Sequence, residues 1–275
     1  MRSVGSSSSG RGIAAVVGVG PKLGRSVARK FAHEGYTVAI LARDLGRLSR
    51  VAEEIAREEK AQVFAIRIDC SDQRSIREAF EGVLSLGFVE IVVYNAYPTT
   101  SSTYRPTTFT DISVDSFQRS LAVSAVGPFL CAQQVIPGMI ERGKGTILFT
   151  GCSASLNGAA GFSEICCGKF ALRALAQCLT REYQAFGIHV AHVIIDGVVG
   201  PPRGTITHSR GMVTEQQYKM MKSEGEGEGE GEGESWGETG MDPDTVAQTY
   251  WFLHVQDRSA WTHELDLRHS FTRFY

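Results

Sequence analysis

Seven short strand-like segments recur along the chain, most of them rich in apolar residues and separated by segments of mostly helical spacing, and this alternation constrains its fold more than any other feature. The runs lie at residues 13–17, 37–41, 62–68, 90–94, 146–150, 189–195 and 260–267. Helical patterns occupy 25–33, 45–59, 75–86, 114–142, 162–186 and 242–255. Fully apolar runs suit parallel strands covered on both faces. Each strand then reaches the next through a right-handed crossover. The expected fold class is α/β, a doubly wound seven-stranded parallel sheet with helices on both faces, formed by one domain over 13–275. Ser71 or Asp72 is expected to cap the helix at 75–86, and Gly35 to close the first helix. The long pattern at 114–142 is expected to be interrupted near Gly127-Pro128 and again at Pro137.

Between the first run and the first helix lies Gly18-Val19-Gly20-Pro21-Lys22-Leu23-Gly24. Glycines there let the backbone approach a phosphate, and the helix N-terminus adds unpaired N–H groups and a positive dipole end. The turn is read as the pyrophosphate site of a dinucleotide. Glycines in a strand–turn–helix also arise without a ligand, so the remaining motifs decide.

Composition removes several classes. A formal net charge of −2 gives no overall pull toward nucleic acid or an anionic membrane. The six cysteines form no CxxC pair and no metal spacing, and the histidines form no HExxH, so buried free thiols in a reducing compartment are expected. No apolar run reaches the roughly 20 residues of a membrane span. Residues 1–12, rich in Ser and Gly, are expected to be a disordered tail, and the cytoplasm is the default location. Residues 223–234 are a Glu-Gly repeat without apolar side chains, expected to be disordered within a loop over 200–240 that would form a substrate lid.

The order of these parts resembles the short-chain dehydrogenase/reductase family over most of the chain, which implies a Rossmann fold. Gly18, Gly20 and Gly24 match its glycine turn, with Lys22 where a further glycine is usual. Asp69, at the end of the third strand, matches the family's adenine-binding Asp, with Cys70 beside it. Asn95-Ala96-Tyr97 stands where the family has Asn-Ala-Gly. Lys169, in Cys166-Cys167-Gly168-Lys169-Phe170, matches its active-site Lys. The resemblance implies a nicotinamide cofactor contacted by Gly18, Gly20, Lys22, Leu23, Gly24, Arg43, Asp69, Cys70, Asn95, Ala96, Lys169, Gly197 and Val198. The second strand ends in Leu41-Ala42-Arg43 rather than in an acidic residue that would bind a free ribose 2′-OH. The planar guanidinium of Arg43, with Lys22, suits a 2′-phosphate, so NADP(H) is expected over NAD(H).

In the family a Tyr four residues before the Lys donates the proton, since one helical turn puts both side chains on one face. Here that position is Ile165. The family's Asn on the preceding long helix falls at Ser124. The carbonyl-polarising Ser falls near 152–155, with Ser153 and Ser155 as candidates. Asp196 replaces the usual Pro before Gly197. The runs Phe149-Thr150-Gly151-Cys152-Ser153-Ala154-Ser155, Ala191-His192-Val193-Ile194-Ile195-Asp196-Gly197 and Trp261-Thr262-His263-Glu264-Leu265-Asp266-Leu267-Arg268 are similar to a divergent branch that lacks the Tyr. Three functions fit these features: an oxidoreductase acting on a small carbonyl or alcohol, with a degenerate site; a non-catalytic NADP(H)-binding protein; or a scaffold without cofactor binding that uses the Glu-Gly segment as its contact. By analogy the two long helices pack against a second copy as a homodimer or homotetramer, with Ala122, Ser124, Ala125 and Gly127 permitting close approach.

Overall fold

The computed structural model describes residues 11–99, 106–200 and 240–270. The expectations for residues 1–10, for the Glu-Gly repeat at 223–234 and for nearly all of the loop at 200–240 lie outside these. The strands are β1 (Ile13–Val17), β2 (Thr37–Ala42), β3 (Val63–Arg67), β4 (Val89–Tyr94), β5 (Gly145–Cys152), β6 (Ile188–Asp196) and β7 (Glu264–Arg268). All pair in parallel, in the order β3-β2-β1-β4-β5-β6-β7. The helices are α1 (Leu23–His33), α2 (Leu45–Glu59), α3 (Gln73–Ser85), α4 (Val114–Leu121), α5 (Gly127–Arg142), α6 (Ser163–Tyr183) and α7 (Pro243–His254).

The period-2 geometry of β1 explains the layering. Ile13, Ala15 and Val17 join a core with Phe80 of α3, Val135 of α5 and Leu172 of α6. Ala14 and Val16 join the opposite core with Phe31 of α1, Ile55 of α2 and Tyr250 of α7. Edge strands β3 and β7 alternate in exposure, whereas β1 is buried throughout. The direction of winding reverses between β1 and β4. Their C-terminal ends therefore bound the crevice in which such sheets bind ligands.

Asp44, Asp72, Ser113 and Asp242 cap α2, α3, α4 and α7 through side-chain acceptors. The interruption expected at Gly127-Pro128 takes another form. A π turn, Ala122–Val126, joins α4 to α5, and the Tyr94 hydroxyl donates to its Val123 carbonyl. Gly127-Pro128 follows the π turn directly, and Pro137 lies inside α5 without ending it. The resulting rod, Val114–Arg142, is long and apolar enough to cross a membrane by length and composition, contrary to the expectation from apolar runs alone. Its Cys131, Ala132, Val135, Ile136 and Met139 are buried in the core against the sheet.

Ser124 and Gly127, expected at a seam with a second copy, face inward. A Cβ on Gly168 of α6 would meet Ser124, and one on Gly127 would meet the Tyr94 hydroxyl. The apolar side chains left exposed on these helices are larger, among them Val126, Phe129 and Phe170. The cysteines are all free, but Cys167 and Cys178 are exposed rather than buried.

At the N-terminal end of the sheet, His254 ties α7 to β5 and to the α1–β2 connection. Its Nε2 lies 2.8 Å from the Tyr36 hydroxyl and its Nδ1 2.9 Å from the Thr146 hydroxyl. Burial pushes its pKa down from 6.5 to about 4. The unfolded chain therefore binds this proton more readily than the folded one, and stability falls as pH drops from about 6.5 toward 4. A shift of that size corresponds to ~3 kcal/mol when fully developed. Urea unfolding at pH 7 and at pH 4.5 should show most of this loss, and His254→Gln should reduce the difference between the two. An unchanged difference in the variant would remove His254 as its source.

Candidate functional site

The β1–α1 turn is fastened to its neighbours by backbone. The Gly18 and Val19 amides donate to the Leu41 carbonyl at 2.8 and 3.1 Å, which sets the turn against the end of β2. Asn95 binds it from the other side: its amide donates to the Val17 carbonyl at 2.8 Å, and its Nδ2 to the Gly18 carbonyl at 3.0 Å. Gly18 has φ +88, and a Cβ there would lie 2.4 Å from the Ala96 amide nitrogen. A Cβ on Gly24 would lie 2.8 Å from the Val19 Cα. A Cβ on Gly20 would meet nothing within 4 Å, so protein packing gives no reason for this glycine. No side chain caps α1, and its first turn carries no acidic residue. A glycine without a packing role, before an uncapped helix N-terminus, fits a bound phosphate.

The expected contacts divide by position. Leu23 and Cys70 are buried in the core, and burial pushes the Cys70 thiol up to about 11. Lys22 and Arg43 are exposed, and the Arg43 guanidinium donates to the Thr99 hydroxyl at 2.9 Å. Burial pushes the Asp69 carboxyl up, but bonds from the Ser71 hydroxyl and amide, with the Arg43 and Arg67 charges, outweigh it and hold the group below its ordinary value. Asp44, the acidic neighbour of Arg43, is committed to the α2 cap by accepting from the Arg47 amide at 3.0 Å. Gly197 has φ +146 just beyond β6, Val198 is exposed, and Asp196 pairs with Arg268 at 2.9 Å. Val199 and Met241 form a parallel bridge, and the Gly200 amide donates to the Met241 carbonyl at 2.9 Å.

Lys169 projects from α6 toward the end of β5. It is 2% exposed, and its ammonium donates to the Thr150 carbonyl at 2.8 Å. Burial pushes its pKa down, and Cys152 nearby pushes it partly back. The ammonium also lies 5.3 Å from the centroid of the Tyr97 ring, a contact that no sequence spacing revealed. Ile165, one turn earlier on α6, is buried. Ser124 Oγ and both carboxylate oxygens of Glu164 are buried without partners, while the Ser120 hydroxyl donates to the Glu164 carbonyl at 2.9 Å.

The two candidate serines differ. Ser153 is partly exposed and begins the short 3-10 turn after β5. Ser155 is fully buried, 3.5 Å from His192 Nε2, and accepts from the Cys152 amide. These contacts turn its hydroxyl to the protein interior. His192 Nδ1 lies 3.2 Å from Glu264, which Arg173 holds through two 2.7 Å bonds. A cavity of about 300 Å³ lined by His192, His263 and Glu264 lies along α6 and β7, away from the ends of β1 and β4. Among the described residues there is no His/Cys/Asp/Glu cluster suited to a metal.

Residues 12–208 match the family model described as short chain dehydrogenase. The chain belongs to the short-chain dehydrogenase family. One short-chain dehydrogenase of known structure, from Rhodopseudomonas palustris, superposes with a TM-score of 0.73 at 26% identity, covering 94% of this chain and 98% of its own. The bovine (Bos taurus) 3-ketodihydrosphingosine reductase is 27% identical over 76% of this chain, which spans 60% of that protein's length. An inactive 2-(S)-hydroxypropyl-CoM dehydrogenase from Xanthobacter autotrophicus is 30% identical over 63% of this chain and 71% of its own length.

Proposed function

We propose that this chain is an NADP(H)-dependent oxidoreductase that interconverts a small carbonyl compound and its alcohol. The observation that carries this reading is Lys169, a buried amine held by the Thr150 carbonyl, with no carboxylate partner among the described residues. A lysine in such a place costs stability and marks a functional site. When bound, the cofactor supplies the hydride. The turn from Gly18 to Gly24 would hold its pyrophosphate, and Arg43 with Lys22 its 2′-phosphate. Asp69 and the Cys70 backbone would bind the adenine, Lys169 the nicotinamide ribose, and Gly197 with Val198 the carboxamide. Asn95 and Ala96 would act by positioning the turn. Ser153 would orient the substrate carbonyl, a role for which the burial of Ser155 makes it the poorer candidate. A second copy covering Val126, Phe129 and Phe170 gives a dimer or tetramer, and the free thiols suit the cytoplasm.

Ile165 supports a second reading, a non-catalytic NADP(H)-binding protein, and the inactive Xanthobacter relative is in keeping with it. Thermal shift with NADPH and NADH, followed by a 340 nm screen of aldehydes, ketones and quinones, separates the two. NADPH should raise the melting temperature more than NADH does, and at least one carbonyl should be reduced. Clear NADPH binding without turnover selects the second reading, and no binding overturns both.

A further inference from the structure

Ile165, one turn before Lys169, has no proton to give. We propose that Tyr97, presented to the Lys169 ammonium from the loop after β4, donates the proton to the carbonyl oxygen. This rests on the oxidoreductase reading above and names the residue that completes its chemistry. The other described tyrosines make contacts of their own. Tyr94 is fully buried and donates to the Val123 carbonyl. Tyr250 is fully buried against the Thr150 hydroxyl, 2.7 Å away. Tyr36 pairs with His254 at the opposite end of the sheet, and Tyr183 ends α6.

Tyr97 combines three properties that a donor needs. Its ring lies 5.3 Å from the Lys169 ammonium, a cation close enough to stabilise a phenolate. It follows Asn95-Ala96, whose backbone abuts Gly18, so it is anchored at the end of β4 bordering the crevice. At 42% exposure it can regain a proton from solvent. Lys169 is fixed by Thr150, so the cation stays in place as the ring loses its proton.

When bound, the reduced nicotinamide would supply a hydride to the carbonyl carbon, and the C=O π electrons would pass to oxygen. Tyr97 would give that oxygen its proton, leaving the alcohol and a tyrosinate that water reprotonates.

The test begins without any substrate. A 295 nm difference titration of the full-length protein should reveal a phenol that ionises before the remaining tyrosines. That phenol should vanish in Tyr97→Phe and move back up in Lys169→Met. A wild-type titration with no such group, or one that survives in Tyr97→Phe, overturns the pairing whatever the activity. With a carbonyl that the wild type reduces, Tyr97→Phe should lower kcat about 100-fold while NADPH affinity stays within about twofold. It should also abolish the high-pH limb of the rate profile. Equal rates in wild type and Tyr97→Phe overturn the donor role and leave the oxidoreductase reading intact. A wild type that binds NADPH but reduces no carbonyl overturns the oxidoreductase reading, and the donor role falls with it.

Discussion

Gly18→Ala should lower the melting temperature by roughly 10 °C and remove measurable NADPH binding, whereas Gly20→Ala should leave the melting temperature unchanged and still weaken binding at least tenfold. The two glycines are two positions apart and answer to different constraints. At Gly18 the backbone has φ +88, a conformation that disfavours a side chain. The new Cβ would also lie 2.4 Å from the Ala96 nitrogen, 2.5 Å from the Ala96 Cα and 2.7 Å from the Asn95 carbonyl carbon. All three are backbone atoms of the segment that leaves β4, so no flexible side chain can give way. Strained backbone and forced overpacking together cost about 3–5 kcal/mol. At Gly20 the Cβ enters open space, so a loss of affinity there measures only what the ligand requires. Gly20→Ala with full NADPH affinity would refute the turn as a phosphate cradle. Gly18→Ala with wild-type stability would refute the close packing of β1 on β4.

The contrast shows where sequence reasoning reached and where it stopped. The central strands were legible almost to the residue because burial on both faces leaves an uninterrupted apolar run, as in Ile13–Val17 and in Ile91–Tyr94 of β4. The β7 boundary was placed too early, starting at 260. Arg258–Ala260 form a short 3-10 turn, and the strand that follows is a half-exposed edge with weak patterning. The glycine turn, Asp69, Asn95 and Lys169 are local motifs, and their order along the chain located the crevice. Their individual roles were not legible. Asn95 is expected to contact the cofactor, and the structure adds a bond that its motif does not reveal, from its Nδ2 to the Gly18 carbonyl. Ser124 and Gly127 are small because Gly168 and Tyr94 press on them within one chain. The chain of contacts from Ser155 through His192 and Glu264 to Arg173 joins residues up to 91 positions apart. No spacing rule detects such a chain. The contact between Tyr97 and Lys169 is of the same kind. Its one sequence signal is a tyrosine where the family resemblance leads one to expect a glycine.

Replacing both Lys22 and Arg43 by alanine should weaken NADPH binding about 100-fold while changing NADH binding less than threefold, since each charge-assisted phosphate contact accounts for about tenfold. The fold puts both cations at one place. The Gly18 and Val19 amides bind the Leu41 carbonyl, so the turn that carries Lys22 lies against the strand end that carries Arg43. Neither cation holds the fold together. Both are exposed, Lys22 places no side-chain bond on the α1 backbone, and Arg43 binds only the Thr99 hydroxyl among the side-chain bonds described. The melting temperature of the double variant without cofactor should therefore stay close to wild type. Asp44 would not take over as an acidic ribose ligand, because it remains bound to the Arg47 amide at the start of α2. The variant should accordingly lose its preference for NADPH without gaining affinity for NADH. Salt supplies an independent check. Two solvent-exposed cations facing a phosphate are screened, so wild-type preference for NADPH should shrink between 0.05 and 0.5 M salt, and that of the double variant should not change. Equal weakening of NADPH and NADH would mean that these residues hold the pyrophosphate common to both, and cofactor choice would then rest elsewhere in the crevice.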